Sequence, residues 1–173
     1  MLKPAPPRYD WGRVFWENTL AATEVDVKVT GGEKLKAKLI EMGKSLGKAQ
    51  SVRVGFLGDA QYPDGTPVAL VAAMNEFGSP PTRPPRPFFR DMIRTQSKKW
   101  PEAIAQVLRD NDYDSERALD LTGAAIKGQL QEQINAYVGP PLAPSTVKRK
   151  GSEKQLIDTS TMINSVDYEV QKK

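Results

Sequence analysis

The residues with the greatest chemical reach in this chain are cations. Arg83, Arg86 and Arg90 fall at steps of three and four inside NEFGSPPTRPPRPFFR, residues 75–90, and Lys148, Arg149 and Lys150 stand together further on. Guanidinium and ammonium groups suit phosphates, because they combine charge with directed donors. Phe88 and Phe89, between the arginines, add rings on which a nucleic-acid base could stack. A competing reading sends both rings into a core at a helix start and pairs the arginines with neighbouring carboxylates. The spacing leaves both readings open.

Other chemistry is scarce. Asp59 and Asp64 flank a turn-rich loop, GDAQYPDGT at residues 58–66, but their spacing is not that of a calcium loop. Aspartates bonding their own turn backbone are the expectation there, with a carboxylate-metal hydrolase as the sharper alternative. Neither a G-x-G-x-x-G run nor a P-loop occurs. The chain has no cysteine and no histidine. That removes Ser-His triads, Cys-His dyads, disulfides and nearly all zinc sites. The expectation is a protein with no catalytic residues, no cofactor and no metal.

Composition sets the frame for these residues. With 173 residues, 39% hydrophobic and 27% charged, the chain suits one domain plus an appendage, mostly ordered. No apolar run approaches the roughly 20 residues of a membrane span, and the first residues lack the apolar centre of a signal peptide. A cytosolic origin and no membrane partner are therefore expected. A net charge of +4, spread along the chain, permits contact with nucleic acid without requiring it.

Periodicity supplies the elements. Residues 1–24 form an N-terminal arm, with three early prolines and with Trp11, Phe15 and Trp16 at the spacing of one helical turn. These aromatics either pack back on the domain or anchor a partner. Residues 25–30 alternate Val25, Val27 and Val29 as a strand. Residues 33–48 repeat Leu35, Leu39, Met42 and Leu46 as an amphipathic helix. Residues 51–57 alternate as a second strand, and Pro67 opens a helix that Gly78 ends.

Pro80, Pro81, Pro84, Pro85 and Pro87 then exclude helix and inner strand, so an extended, stiff connector is predicted. Helix resumes over residues 88–110, with Pro101 kinking or restarting it. A longer helix over 116–138, capped by Asp114-Ser115, carries Leu119, Thr122, Ile126, Leu130, Ile134 and Tyr137 or Val138 as its stripe. Ala124 and Gly128 are read as its points of close packing. A short helix at Pro144, another turn or two in 156–166, and a last strand at 165–170 complete the order. The fold class expected is α+β: a small, mostly antiparallel sheet of three or four strands against several helices, spanning 25–173.

Several stretches together resemble the phage tail-completion and virion-morphogenesis family, which includes neck components akin to the lambda-type minor tail protein Z. They are NEFG at 75–78, RPFFR at 86–90, PPLAPSTVKRKG at 140–151 and LIDTSTMINSV at 156–166. The departure is Ser160, where the family often has glycine. The resemblance covers about residues 25–170 and leaves the N-terminal arm outside.

The resemblance implies a structural protein without catalysis that completes the neck or tail end and supports head–tail joining. It also implies a homo-oligomeric ring, hexameric in the family's pattern, around a DNA channel in the virion. Its partners would be neck, tail-tube or tail-terminator and head-connector proteins, assembled in the host cytoplasm. Such a ring needs rigid contact segments. Trp11, Phe15, Trp16, Pro80, Pro81, Arg83, Pro84, Pro85 and Arg86 are the candidate subunit contacts. Lys148, Arg149 and Lys150 are candidate channel or surface cations. A nucleic-acid-binding module using the arginines and Phe88/Phe89 is the alternative.

Overall fold

The computed structural model describes residues 32–79, 81 and 83–172. The arm at 1–24, the strand expected at 25–30, and Trp11, Phe15, Trp16 and Pro80 lie outside the described residues. Residues 33–173 form one unit of the chain, with helices covering a small antiparallel sheet in an α+β arrangement.

The chain enters through helix α1, Glu33–Leu46, followed by strand β1, Ala49–Gly55. Helix α2, Val68–Phe77, buries Val68, Ala72 and Glu76, a spacing of four that keeps one face inward. Helix α3, Phe88–Gln96, buries Phe88 and Met92 by the same rule. A 3₁₀ turn at Ser97–Lys99 leads into α4, Trp100–Asp110. Helix α5, Ser115–Ala136, forms the spine, and short helices α6, Pro144–Lys150, and α7, Thr161–Asn164, precede strand β2, Asp167–Lys172.

β2 returns across all of these helices to pair antiparallel with β1, setting Val52 opposite Val170 and Val54 opposite Tyr168. The expected sheet of three or four strands is thus two-stranded among the described residues. The reason is coverage: no further strand is formed between β1 and β2, and α5 packs across both strands. They pack tightly at Gly123, where an added Cβ would lie 2.4 Å from the Tyr168 ring and 2.8 Å from Val52.

That contact revises the reading of α5. Gly128 faces open space and Ala124 is exposed, so neither is the packing point; Gly123 is. The inward stripe is Ala118, Thr122, Leu130 and Ile134, and Val138 is 91% exposed beyond the helix end. The helix expected over 88–110 is two helices. Its break lies at 97–99, ahead of Trp100, because Pro101 sits in the first turn of α4, where a missing N–H costs nothing.

The core joins α2, α3, α5, α7 and the loop before it through Val68, Phe88, Met92, Leu130, Ile134, Leu156, Met162 and Val166. Each such side chain contributes about 1.5–3 kcal/mol by leaving water. Helix α1 stands apart from this core. It has no buried residue, and Leu35, Leu39 and Leu46 of its apolar stripe are all exposed. Its end is tied by polar bonds: Ser115 Oγ donates to Ser45 O at 3.0 Å and accepts from Ala49 N at 3.1 Å.

Candidate functional site

The two ends of the proline-rich connector are stitched together. Asn75 O accepts the Arg86 N–H at 2.6 Å, while the Asn75 side chain donates to Val71 O within α2. The Glu76 carboxylate accepts the N–H groups of Phe89, at 2.9 Å, and Arg90, at 3.2 Å. These are N-terminal donors of α3, so a residue from α2 satisfies the start of the next helix. Arg90 Nε adds an ion pair to the same carboxylate at 2.7 Å, and its guanidinium lies 5.2 Å from the Phe77 ring centre.

Between these anchors Ser79 and Arg83 exchange both backbone hydrogen bonds at 3.0 Å. Gly78 makes the turn possible. Its φ of 74° and ψ of −179° belong to a region open essentially to glycine, and a Cβ there would sit 2.8 Å from Arg83 O and Pro85 N. The connector's shape is held by bonds as well as by its prolines. Pro81, Arg83, Pro84 and Pro85 are exposed along it, whereas Arg86 is buried, with 8% exposure.

Arg86 sits in the wall of a cleft of about 630 Å³, shared with Arg83, Arg149, Lys150, Asn75 and Gln155. Helix α6 delivers Arg149 and Lys150 there, starting on Pro144 and ending on Gly151 in the left-handed conformation. Lys148 is exposed and does not line the cleft. Among the described residues, none of the four cleft cations is in an ion pair. The Arg86 Nε is buried without a hydrogen-bond partner, as is the Gln155 Oε1.

Among the described residues, no aspartate or glutamate lines this cleft. Asp64 and Asp158 line an adjoining recess of about 620 Å³ that shares Arg83, Arg149 and Lys150. Burial pushes the Lys150 ammonium below its ordinary pKa; nearby Asp158 opposes that shift and the Arg86 charge adds to it. The arrangement can hold an oxyanion: several donors face one volume, and the described carboxylates close to them, Asp64 and Asp158, line the adjoining recess instead.

The sequence expectations divide here. Arg90 is paired with a carboxylate as one reading had it, but among the described residues Arg83 and Arg86 are not. Phe88 is a core residue with 1% exposure, meeting Phe56 edge-on at 6.4 Å. Phe89 is half-buried and lines a separate apolar groove of about 350 Å³ with Val54, Phe56, Ala73 and Phe77. Asp64 accepts the Thr66 N–H at 2.9 Å, the local turn bond its position suggested, and that bond holds its carboxyl below the usual range.

Among the described residues no group of three or more acidic side chains is placed to share a metal ion, and no helix is long and apolar enough to cross a membrane. Sequence reading missed Gln155 and Glu76 as site-forming residues. Their roles depend on contacts with distant segments, and only the turn-flanked NEFG run hinted at the second. No family model, curated protein or solved structure matches the chain.

Proposed function

We propose that this chain is a structural virion protein of a phage neck or tail end. In this reading it forms a homo-oligomeric ring that completes the tail and supports head–tail joining, without catalysis. Its neighbours are neck, tail-tube or tail-terminator and head-connector proteins, and DNA passes through the channel. It assembles in the host cytoplasm and resides in the virion.

The observation that carries the reading is the preset connector. Its ends are fixed by Glu76–Arg90 and Arg86–Asn75, its middle by Ser79–Arg83, and Pro81, Pro84 and Pro85 are exposed. A contact segment already held in shape loses little entropy on docking. Separate exposed apolar faces add support. Leu35, Leu39 and Ile40 on α1 are 50–57% exposed, and on α2 Leu70 is 52% and Phe77 65% exposed. A head-to-tail ring needs two such unlike faces on every subunit. A third strand at 25–30 beside the β1–β2 pair belongs to the same proposal.

The nucleic-acid reading is favoured by the convergence of Arg83, Arg86, Arg149 and Lys150. It loses its stacking platform, since Phe88 is in the core and Phe89 lines a different groove. Replacing Pro80, Pro81, Pro84 and Pro85 by glycine and serine tests the proposal. Weakened self-assembly with unchanged circular dichroism is the expected result, and undiminished assembly would remove the connector from the interface.

A further inference from the structure

The cleft is an electrostatic imbalance built into the fold. Arg86 is buried at 8% exposure with its Nε unpartnered, and Arg83, Arg149 and Lys150 share its cleft. Bringing like charges into a recess is unfavourable unless an anion enters it. The recess also selects the anion's form. Beside Pro84, Pro141 and Leu142 it offers a buried arginine within a concave volume, which suits a side-chain anion, whereas a phosphodiester backbone is tracked along exposed cationic stripes.

A matching group exists on the same chain. The turn joining α4 to α5 reads DNDYD, residues 110–114. Asp114 is occupied, capping α5 at the Arg117 N–H and accepting from Lys48 Nζ at 2.6 Å. Asp110 is exposed and, among the described residues, is held by Gln106. Asp112 is exposed at the bend, where φ is 51°. This turn precedes the first residue of α5, while the cleft gathers around Pro141 and Gln155 just past its last. At 1.5 Å per residue, α5 separates the two features by about 33 Å.

We propose that the cleft of Arg83, Arg86, Arg149 and Lys150 receives the Asp110 and Asp112 carboxylates of a second copy of this chain. The proposal rests on the ring reading above and names the contact that closes it. Opposite charges at opposite ends of one rigid helix cannot satisfy each other within a subunit. Between subunits they give a head-to-tail, heterologous contact, the kind that closes into a ring. Charge-assisted bonds from the arginines supply direction, and the apolar rim excludes water around them.

The test uses the full chain and two double variants. Arg83→Gln with Arg149→Gln alters exposed cleft residues; Asp110→Asn with Asp112→Asn removes the turn's charge. Asparagine tolerates the positive φ at residue 112. Circular dichroism and thermal melting check that each variant folds, and sedimentation velocity reads its assembly. Each variant is expected to associate at least about tenfold more weakly than the wild type.

An equimolar mixture of the two variants is expected to form a one-to-one dimer and stop, because each such pair retains one intact cleft-and-turn contact. If both folded variants assemble as the wild type does, this contact is wrong and the ring reading stands. If the wild-type chain itself stays monomeric, the ring reading fails and takes the contact with it. A cleft variant that assembles normally but loses salt-dependent affinity for duplex DNA assigns the cleft to nucleic acid and overturns the proposal.

Discussion

Arg90 Nε lies 2.7 Å from Glu76 Oε1, joining two residues fourteen positions apart across the proline run, and the same carboxylate accepts the backbone N–H groups that open α3. One side chain therefore does three things: it caps a helix, pairs an arginine and fixes both ends of the connector. Glu76 is 5% exposed, while the Arg90 side chain that pairs with it reaches the surface.

Glu76→Ala should lower stability by about 2–3 kcal/mol, the range for losing several hydrogen bonds to a buried charged group. Glu76→Gln keeps one acceptor oxygen and should lose less. A shifted denaturant midpoint with unchanged slope is the expected signature. A wild-type midpoint in Glu76→Ala would show that the clamp contributes nothing.

Gly78→Ala should be harmful out of proportion to one methyl group. The residue sits at φ 74°, and its Cβ would meet Arg83 O and Pro85 N at 2.8 Å. Backbone strain of about 1–3 kcal/mol adds to the displacement of the Ser79–Arg83 pair. Denaturation would register the loss, and amide exchange at Arg83 and Arg86 should quicken.

Ser160→Gly should stabilise. Ser160 adopts φ 60° at the start of α7 with no side-chain capping bond, a conformation costing a non-glycine residue about 1–2 kcal/mol. Glycine's extra freedom in the unfolded chain offsets part of that, leaving a gain of about 0.5 kcal/mol. A midpoint unchanged or lowered by Ser160→Gly would contradict the account of this turn.

Acid should lower the protein's stability in part through two identifiable carboxylates. The Lys48 ammonium, followed by the Arg117 N–H, holds Asp114 below its ordinary 3.8. The Lys127 ammonium does the same for Asp167. A carboxylate with a depressed folded pKa stabilises the fold above its unfolded value and ceases to as pH falls through the folded value. Stability should therefore decline as pH drops from about 5 towards 2. Asp114→Asn retains an N-cap and should flatten that decline, which denaturation midpoints across the pH range would measure.

What the sequence made legible was what lies within one element. The start of α3 was legible, with Phe88 inside and Met92 one turn on, but α2 was not. Apolar period points to Leu70, Val71, Met74 and Phe77 as its inner face, whereas Val68, Ala72 and Glu76 are buried and Leu70 and Phe77 are exposed. Helical phase against another element was not legible. Ala124, Gly128 and Gly123 look alike as small residues, and only the approach of Tyr168 and Val52 selects Gly123. The stripe of α1 has the right period for a core, yet Leu35 and Leu39 remain exposed. Residue type named the cleft cations in advance. Their meeting required residues 83–86 and 149–150 to fold onto one cleft, and no local pattern encodes that.

Native mass spectrometry of the purified full chain, across concentration, tests the central claim most directly: that this protein acts by offering a preset shape to its own copies. The account predicts a closed oligomer of defined copy number that dissociates with added salt, as contacts between Asp110 or Asp112 and the arginine cleft would. A chain that stays strictly monomeric at its highest soluble concentration would contradict it.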